Sequence, residues 1–151
     1  MELKEYQREA LVALRRFLER TRETNDAAAS FEEVAQELSL GRYQGQYRPL
    51  ATMPEVPYVC LRLPTGGGKT ILGAHSVKLA GGSFLERDFP VALWLVPSNT
   101  IRTQTVEALK GFGLDVVAAG HCTGWRAMAA LTNAFGDTKL TPLAVGKRLS
   151  F

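Results

Sequence analysis

No stretch of this sequence reaches the roughly 18 consecutive uncharged apolar residues that a membrane-crossing helix requires, so no membrane partner is expected. The opening Met1-Glu2-Leu3-Lys4-Glu5 has no secretory pattern, and an intracellular, cytoplasmic location follows as the expectation. Cysteine is scarce. The two present, Cys60 and Cys122, lie far apart with no CxxC spacing, which suggests neither a disulfide framework nor a metal, and Cys60 reads as a small buried strand residue in a reducing compartment. His75 and His121 have no second ligand or carboxylate close by in sequence, so neither is assigned to catalysis. There is no nucleophile constellation and no internal repeat.

What is present fits a globular domain: 151 residues, 46% hydrophobic and 22% charged, are enough for a proper core. The net charge of +3 is unevenly placed, with six basic and nine acidic residues up to position 40 and twelve basic and six acidic beyond it. The basic excess favours a polyanionic partner, although a solvated surface often carries as much.

Leu3, Tyr6, Ala10, Leu11, Leu14, Phe17 and Leu18 recur at helical spacing with Glu and Arg opposite, predicting a first helix. Ser30 with Glu33 forms a capping-box pattern ahead of Phe31, Val34, Ala35 and Leu38, and Gly41 supplies the stop of a second. Residues 41–57, broken by Gly41, Gly45, Pro49, Pro54 and Pro57, read as a connection in which Tyr43, Tyr47 and Arg48 either meet a ligand or simply pack. From Tyr58 the order becomes strand, glycine loop, helix, strand, helix, that of an α/β fold with a parallel sheet. The first strand is Tyr58-Val59-Cys60-Leu61, and the next helix runs from Lys69 to about Ala80, closed by Gly81-Gly82. Val91 to Val96 is continuously apolar, as a central strand covered on both faces should be. A helix follows with Ile101, Thr105, Ala108, Leu109 and Phe112 inward, then a third strand over 114–118 and a helix with Trp125, Met128, Ala129, Thr132 and Phe135 inward. Two parts are expected: helices and connection over 1–57, and an α/β domain over 58–151.

The segment that carries most chemistry is Leu63-Pro64-Thr65-Gly66-Gly67-Gly68-Lys69-Thr70. Three glycines allow a tight turn that brings backbone N–H groups against phosphate oxygens, where a Cβ would block the approach. The positive end of a helix starting at Lys69 points to the same place. Thr65, Gly66, Gly67 and Gly68 are therefore candidate phosphate ligands, Lys69 would reach the β- and γ-phosphates, and the Thr70 hydroxyl would coordinate Mg²⁺. Lys69 and Thr70 are the catalytic candidates. The strict signature has glycine where this chain has Leu63, and a plain glycine turn before a helix is the bland alternative. Such a turn does not require Gly-Lys-Thr at the junction.

Three segments in order, Tyr6-Gln7, Pro64 to Thr70 and Leu95-Val96-Pro97-Ser98-Asn99-Thr100-Ile101-Arg102-Thr103-Gln104, resemble the amino-terminal end of superfamily 2 helicases. The closest likeness is to the restriction (Res) subunit of type III restriction enzymes and its DEAD/DEAH-like relatives. The resemblance covers residues 1 to about 110 and explains Leu63, since these helicases carry Pro-Thr-Gly where other phosphate loops begin with glycine. It implies a partial RecA-like P-loop NTPase domain behind an amino-terminal helical segment, with ATP and Mg²⁺ as cofactors. Gln7 would hydrogen-bond the adenine edge, an amide offering a donor and an acceptor side by side. Without the loop, Gln7 would read as a polar helix-surface residue. Ser98, Asn99, Thr100 and Gln104 match the segment that contacts the nucleic acid backbone, and Arg102 adds charge. Helix capping by Ser98 or Asn99 is compatible with that role. The implied partners are DNA and either a modification subunit or a carboxyl-terminal helicase half.

Hydrolysis needs an acidic residue on Mg²⁺ and a group that orients water, usually an Asp-Glu pair in helicases, and this chain contains no Asp-Glu dipeptide. The sequence therefore reads as the front of a longer helicase, with a changed reading frame from about Gly111 one explanation of the weaker fit there. Two alternatives stay open: a nucleotide-binding or inert module without turnover, and a small P-loop kinase, which would leave Pro97 to Thr100 without a role.

Overall fold

Twenty residues of amphipathic sequence form α1 (Glu5–Thr24), whose inward face carries Leu14, Phe17, Leu18 and Thr21. The computed structural model describes residues 2–88, 90–92, 105, 106, 109, 114, 117–120 and 123–144. Two compact units, 1–92 and 93–151, divide the chain.

In the first unit α1 ends at Asn25, which takes left-handed φ 53° while its N–H donates to the Thr21 carbonyl. Directly after it comes α2 (Ala27–Leu38), whose cap lies four residues ahead of the predicted cap Ser30. Asp26 is the cap, its carboxylate accepting from the N–H groups of Ala28 and Ala29 at 3.0 Å each. The reason is local. Ala27-Ala28-Ala29 has the highest intrinsic helix propensity, so the helix extends back to the nearest good cap. Ser30 is buried inside that first turn, its hydroxyl on the Asp26 carbonyl at 2.6 Å and against Thr24 Oγ1 at 2.9 Å. The helix unwinds over Ser39 to Gly41, where Gly41 has φ 77° and its N–H returns to the Gln36 carbonyl.

Arg20 makes two parallel bonds to Glu33 (2.9 and 3.0 Å), and Arg16 pairs with Glu37, so a charged seam runs along the α1–α2 contact. Hydrogen bonding to Glu33, then to Glu23, holds the Arg20 guanidinium above its ordinary pKa. All these side chains are exposed; the seam fixes helix register, while burial holds the helices together. Phe17, 3% exposed, meets Phe31 edge-on at 6.0 Å, and Tyr47 lies 5.4 Å from Phe31. Each such aromatic removes enough apolar surface from water to contribute about 1.5–3 kcal/mol. Tyr43 also meets Phe31 edge-on, at 5.7 Å. The two tyrosines of the connection are thus packing residues, and the Tyr47 hydroxyl accepts the Tyr58 N–H at 2.9 Å, tying the connection to the start of the extended segment.

Residues 58–63 are extended but belong to no sheet among the described residues, unlike the strand predicted there. Val59, Leu61 and Leu63 are half-buried, Val59 and Leu61 packing on the helical core, while Tyr58, Cys60 and Arg62 face out. Cys60 is accordingly exposed rather than buried, because strand alternation puts it on the face opposite the core.

After the glycine loop, α3 (Lys69–Ala80) buries Leu72 and Ala74 at 2% exposure each, and sends Leu79 and Ala80 to the core of α1 and α2. Gly81-Gly82 does not stop it. The chain widens into one π-helical turn, Gly81–Leu85, and ends at Glu86, which has φ 52°. Gly81 is needed for space, since a Cβ there would lie 2.7 Å from the Arg87 carbonyl and 2.8 Å from Pro90 Cγ. Val91 and Ala92 are exposed and outside any strand; 93–96 of the predicted central strand, and most of the helix predicted after it, lie outside the described residues. Thr105, Val106 and Leu109 are helical, as predicted.

The second unit contains β1 (Val117–Ala119), α4 (Trp125–Phe135) and β2 (Leu140–Pro142). The two strands pair in parallel with Val117 opposite Leu140, and α4 is the crossover, so a β-α-β unit forms. Gly136 (φ 75°) closes α4, its N–H on the Thr132 carbonyl, and Lys139 Nζ reaches the Leu114 carbonyl at 2.8 Å. Trp125, expected inward, is 76% exposed with the Arg126 guanidinium 5.2 Å from its ring.

Candidate phosphate-binding loop

The glycine loop lies between the extended segment and α3, and its geometry follows from residue type. Gly66 and Gly68 take φ 76° and 73°, the left-handed region that β-carbons disfavour. Gly67 is tight for another reason: a Cβ there would stand 2.8 Å from the Pro64 carbonyl oxygen, to which the Gly67 N–H already donates at 3.0 Å. A Pro64–Gly67 turn is thereby closed just ahead of the helix. Gly68 is the residue before α3, and its carbonyl accepts the Leu72 N–H at 3.0 Å. Among the described residues, the N–H groups of Gly66, Gly68, Lys69 and Thr70 have no protein acceptor. This is the donor set a helix start and a glycine turn leave for an anion.

The predicted site residues Thr65, Gly66, Gly67, Gly68, Lys69 and Thr70 are contiguous in this turn, with Thr65, Gly66 and Lys69 exposed and Thr70 half-buried. The Lys69 ammonium folds back on the Pro64 carbonyl at 2.8 Å. A phosphate oxygen offers a charged acceptor in place of that neutral one, and charge-assisted bonds are about twice as strong. The residues present therefore fit a polyphosphate group: donors, a cation and a turn that side chains would fill.

Gln7 is brought to the loop from 60 residues away. It is 6% exposed; Nε2 donates to the Gly67 carbonyl at 2.8 Å, and Oε1 accepts the Lys4 N–H at 2.9 Å, within the first turn of α1. The Tyr6 hydroxyl donates to the same Gly67 oxygen at 3.1 Å. Tyr6 is the residue that sequence reasoning passed over as a loop contact. Its only signal was position, next to Gln7 in a motif of two. Ser98, Asn99, Thr100, Arg102 and Gln104, the nucleic-acid candidates, lie outside the described residues.

The described residues contain no cluster of three or more His, Cys, Asp or Glu side chains suited to a metal, and no helix long and apolar enough to cross a membrane. An apolar groove lined by Leu14, Phe17, Phe31, Val34, Val59 and Leu61 is the seam of the helical core and includes no loop residue.

Amino-terminal helices, a glycine loop opening α3 and a parallel β-α-β unit make this a partial RecA-like α/β fold. The family model described as type III restriction enzyme, res subunit, matches residues 1–134, and the chain belongs to that family of DEAD/DEAH-like helicases. The matched range extends past residue 110 into α4. No curated protein and no solved structure matches the chain.

Proposed function

We propose that this chain is the ATP-binding portion of a DNA helicase or translocase of the Res-subunit kind, in which ATP hydrolysis is coupled to movement on DNA. The loop from Pro64 to Thr70 carries the reading: its glycine geometry, its unpaired N–H groups and Lys69 at the head of α3 are what a triphosphate requires. On binding, Lys69 would leave the Pro64 carbonyl for the β- and γ-phosphates, and Thr70 would give its hydroxyl to Mg²⁺. Thr70 would be one protein ligand of the ion, and no Asp-Glu pair in this sequence supplies the acidic ligand that hydrolysis needs. Bound Mg²⁺ supplies charge neutralisation for phosphoryl transfer. Ser98, Asn99, Thr100, Arg102 and Gln104 would hold the DNA backbone. Partners of this reading are DNA and a modification subunit or a second helicase half.

Lys69→Ala is expected to abolish ATP binding in a calorimetric titration of the folded protein. Unchanged affinity would reject the proposal.

The sequence has no Asp-Glu pair, which favours a second reading: the chain binds nucleotide without turning it over. Phosphate release measured with and without DNA separates the two, since sustained DNA-stimulated turnover excludes a passive module.

A further inference from the structure

The second unit leaves an indole in solvent. Trp125 is 76% exposed, while Met128, Leu131, Thr132 and Phe135 of the same helix are half-buried. The reason is position. Helical side chains lean over the turn that precedes them, and Trp125 is the first residue of α4, with Gly124 before it at φ 74°. The ring has no turn of its own helix to lie on, and among the described residues no other element covers it. The Arg126 guanidinium stands over the ring, 5.2 Å from its centroid. A cation on one face orients the indole and leaves the second face to another planar group.

Charge narrows the kind of group. Residues 1–92 hold twelve basic and twelve acidic residues, so the net +3 of the chain falls entirely in 93–151, which hold six basic and three acidic. Net charge thus draws a polyanion to the second unit and not to the first. An apolar peptide would use the ring but not the charge, and a free phosphate the charge but not the ring. A single nucleic acid strand uses both, because its unpaired bases offer flat apolar faces beside phosphates, whereas in a duplex neighbouring bases cover those faces.

We infer that Trp125 is a stacking platform for an unpaired DNA base, with Arg126 beside it on the adjoining phosphate, so that the chain prefers single-stranded to duplex DNA. This rests on the reading of DNA as the partner, and adds a base contact to the backbone contacts expected of residues 98–104.

The test uses the full chain, the variants Trp125→Ala, Trp125→Phe and Arg126→Ala, and three probes: a short oligothymidylate, the same strand made abasic, and a duplex. Titrations followed by anisotropy should show Trp125→Ala weakening oligothymidylate by about tenfold, with the abasic strand and the duplex bound as by the parent. Trp125→Phe, which keeps a smaller ring, should fall between. The slope of log affinity against log salt separates stacking from charge: Trp125→Ala should leave it unchanged, and Arg126→Ala should make it shallower by about 0.7. Oligothymidylate should quench the tryptophan emission of the parent, and do so less in Trp125→Phe, where only Trp94 remains. Equal affinity of parent and Trp125→Ala for oligothymidylate overturns the inference, as does an equal loss on all three probes. A parental salt slope in Arg126→Ala overturns the phosphate contact. Should the parent bind duplex and no single strand, the inference fails while the DNA reading stands; should it bind no DNA in any form, both fail. If Trp125→Ala loses its helical circular dichroism, Trp125→Phe decides: intermediate affinity with reduced quenching supports stacking, and parental quenching rejects it.

Discussion

Gly66 and Gly68 share a left-handed backbone, yet a methyl group has different consequences at the two. At Gly66 it points into open space, so Gly66→Ala costs only the conformational strain of about 1–2 kcal/mol. At Gly68 the same strain is joined by a clash with the Gln7 amide at 2.4 Å. Gly68→Ala is therefore expected to be the more destabilising in urea unfolding, and to lose more ATP affinity than Gly66→Ala. Equal losses would show that the Gln7 contact is unimportant. The residues of the loop were legible because each type has a chemical reason to be there: glycine for the turn, lysine for charge, threonine for a hydroxyl. The partner of the loop was less so. Gln7 stood out only through family likeness, and which atoms it would bond is a tertiary fact that no local spacing contains.

Among elements, α1 and α2 were readable from periodicity and α3 from the glycines at its two ends, whereas the start of α2 and the continuation past α3 were not. The start of α2 is the clearest case, because two signals compete: Ser30 with Glu33 has the capping-box pattern, but Asp26 followed by three alanines wins on propensity. Asp26→Ala is expected to cost about 1 kcal/mol and to speed amide exchange at Ala28 and Ala29. Glu33→Ala should leave both amides protected, losing only an exposed ion pair with Arg20. Slow exchange at Ala28 in Asp26→Ala would reject Asp26 as the cap. Likewise, Gly81-Gly82 reads as a helix stop, but Gly81 serves close packing against Arg87 and Pro90, and the helix goes on by widening. Strand β2, three residues ending in proline, is too short for alternation to mark, and only its pairing with β1 reveals it.

At the scale of the molecule, the α/β class was legible from the order of motifs, whereas the grouping of elements was not. α3 opens the loop, yet its Leu79 and Ala80 join α1 and α2 around Leu14, Phe17 and Leu18, so the first compact unit runs to Ala92. Sequence continuity cannot show this, because the packing joins residues more than 60 positions apart. A polypeptide of residues 1–92 is expected to melt cooperatively by circular dichroism, since the unit holds its own buried cluster. A broad, featureless melt would mean that residues beyond 92 are required. Phe17→Ala in that unit should lower stability by about 3–5 kcal/mol in urea unfolding, Phe17 being 3% exposed at the centre of the aromatic cluster.

The Gly67 carbonyl, held from the far end of the unit by Tyr6 and Gln7, makes the first helix part of whatever the loop binds. Seating α1 and ordering the loop are then a single equilibrium. An anion that selects the ordered loop must raise the melting temperature of the amino-terminal helices, in proportion to the logarithm of its concentration once above Kd. Removing α1 would therefore cost binding by taking both donors from the Gly67 carbonyl.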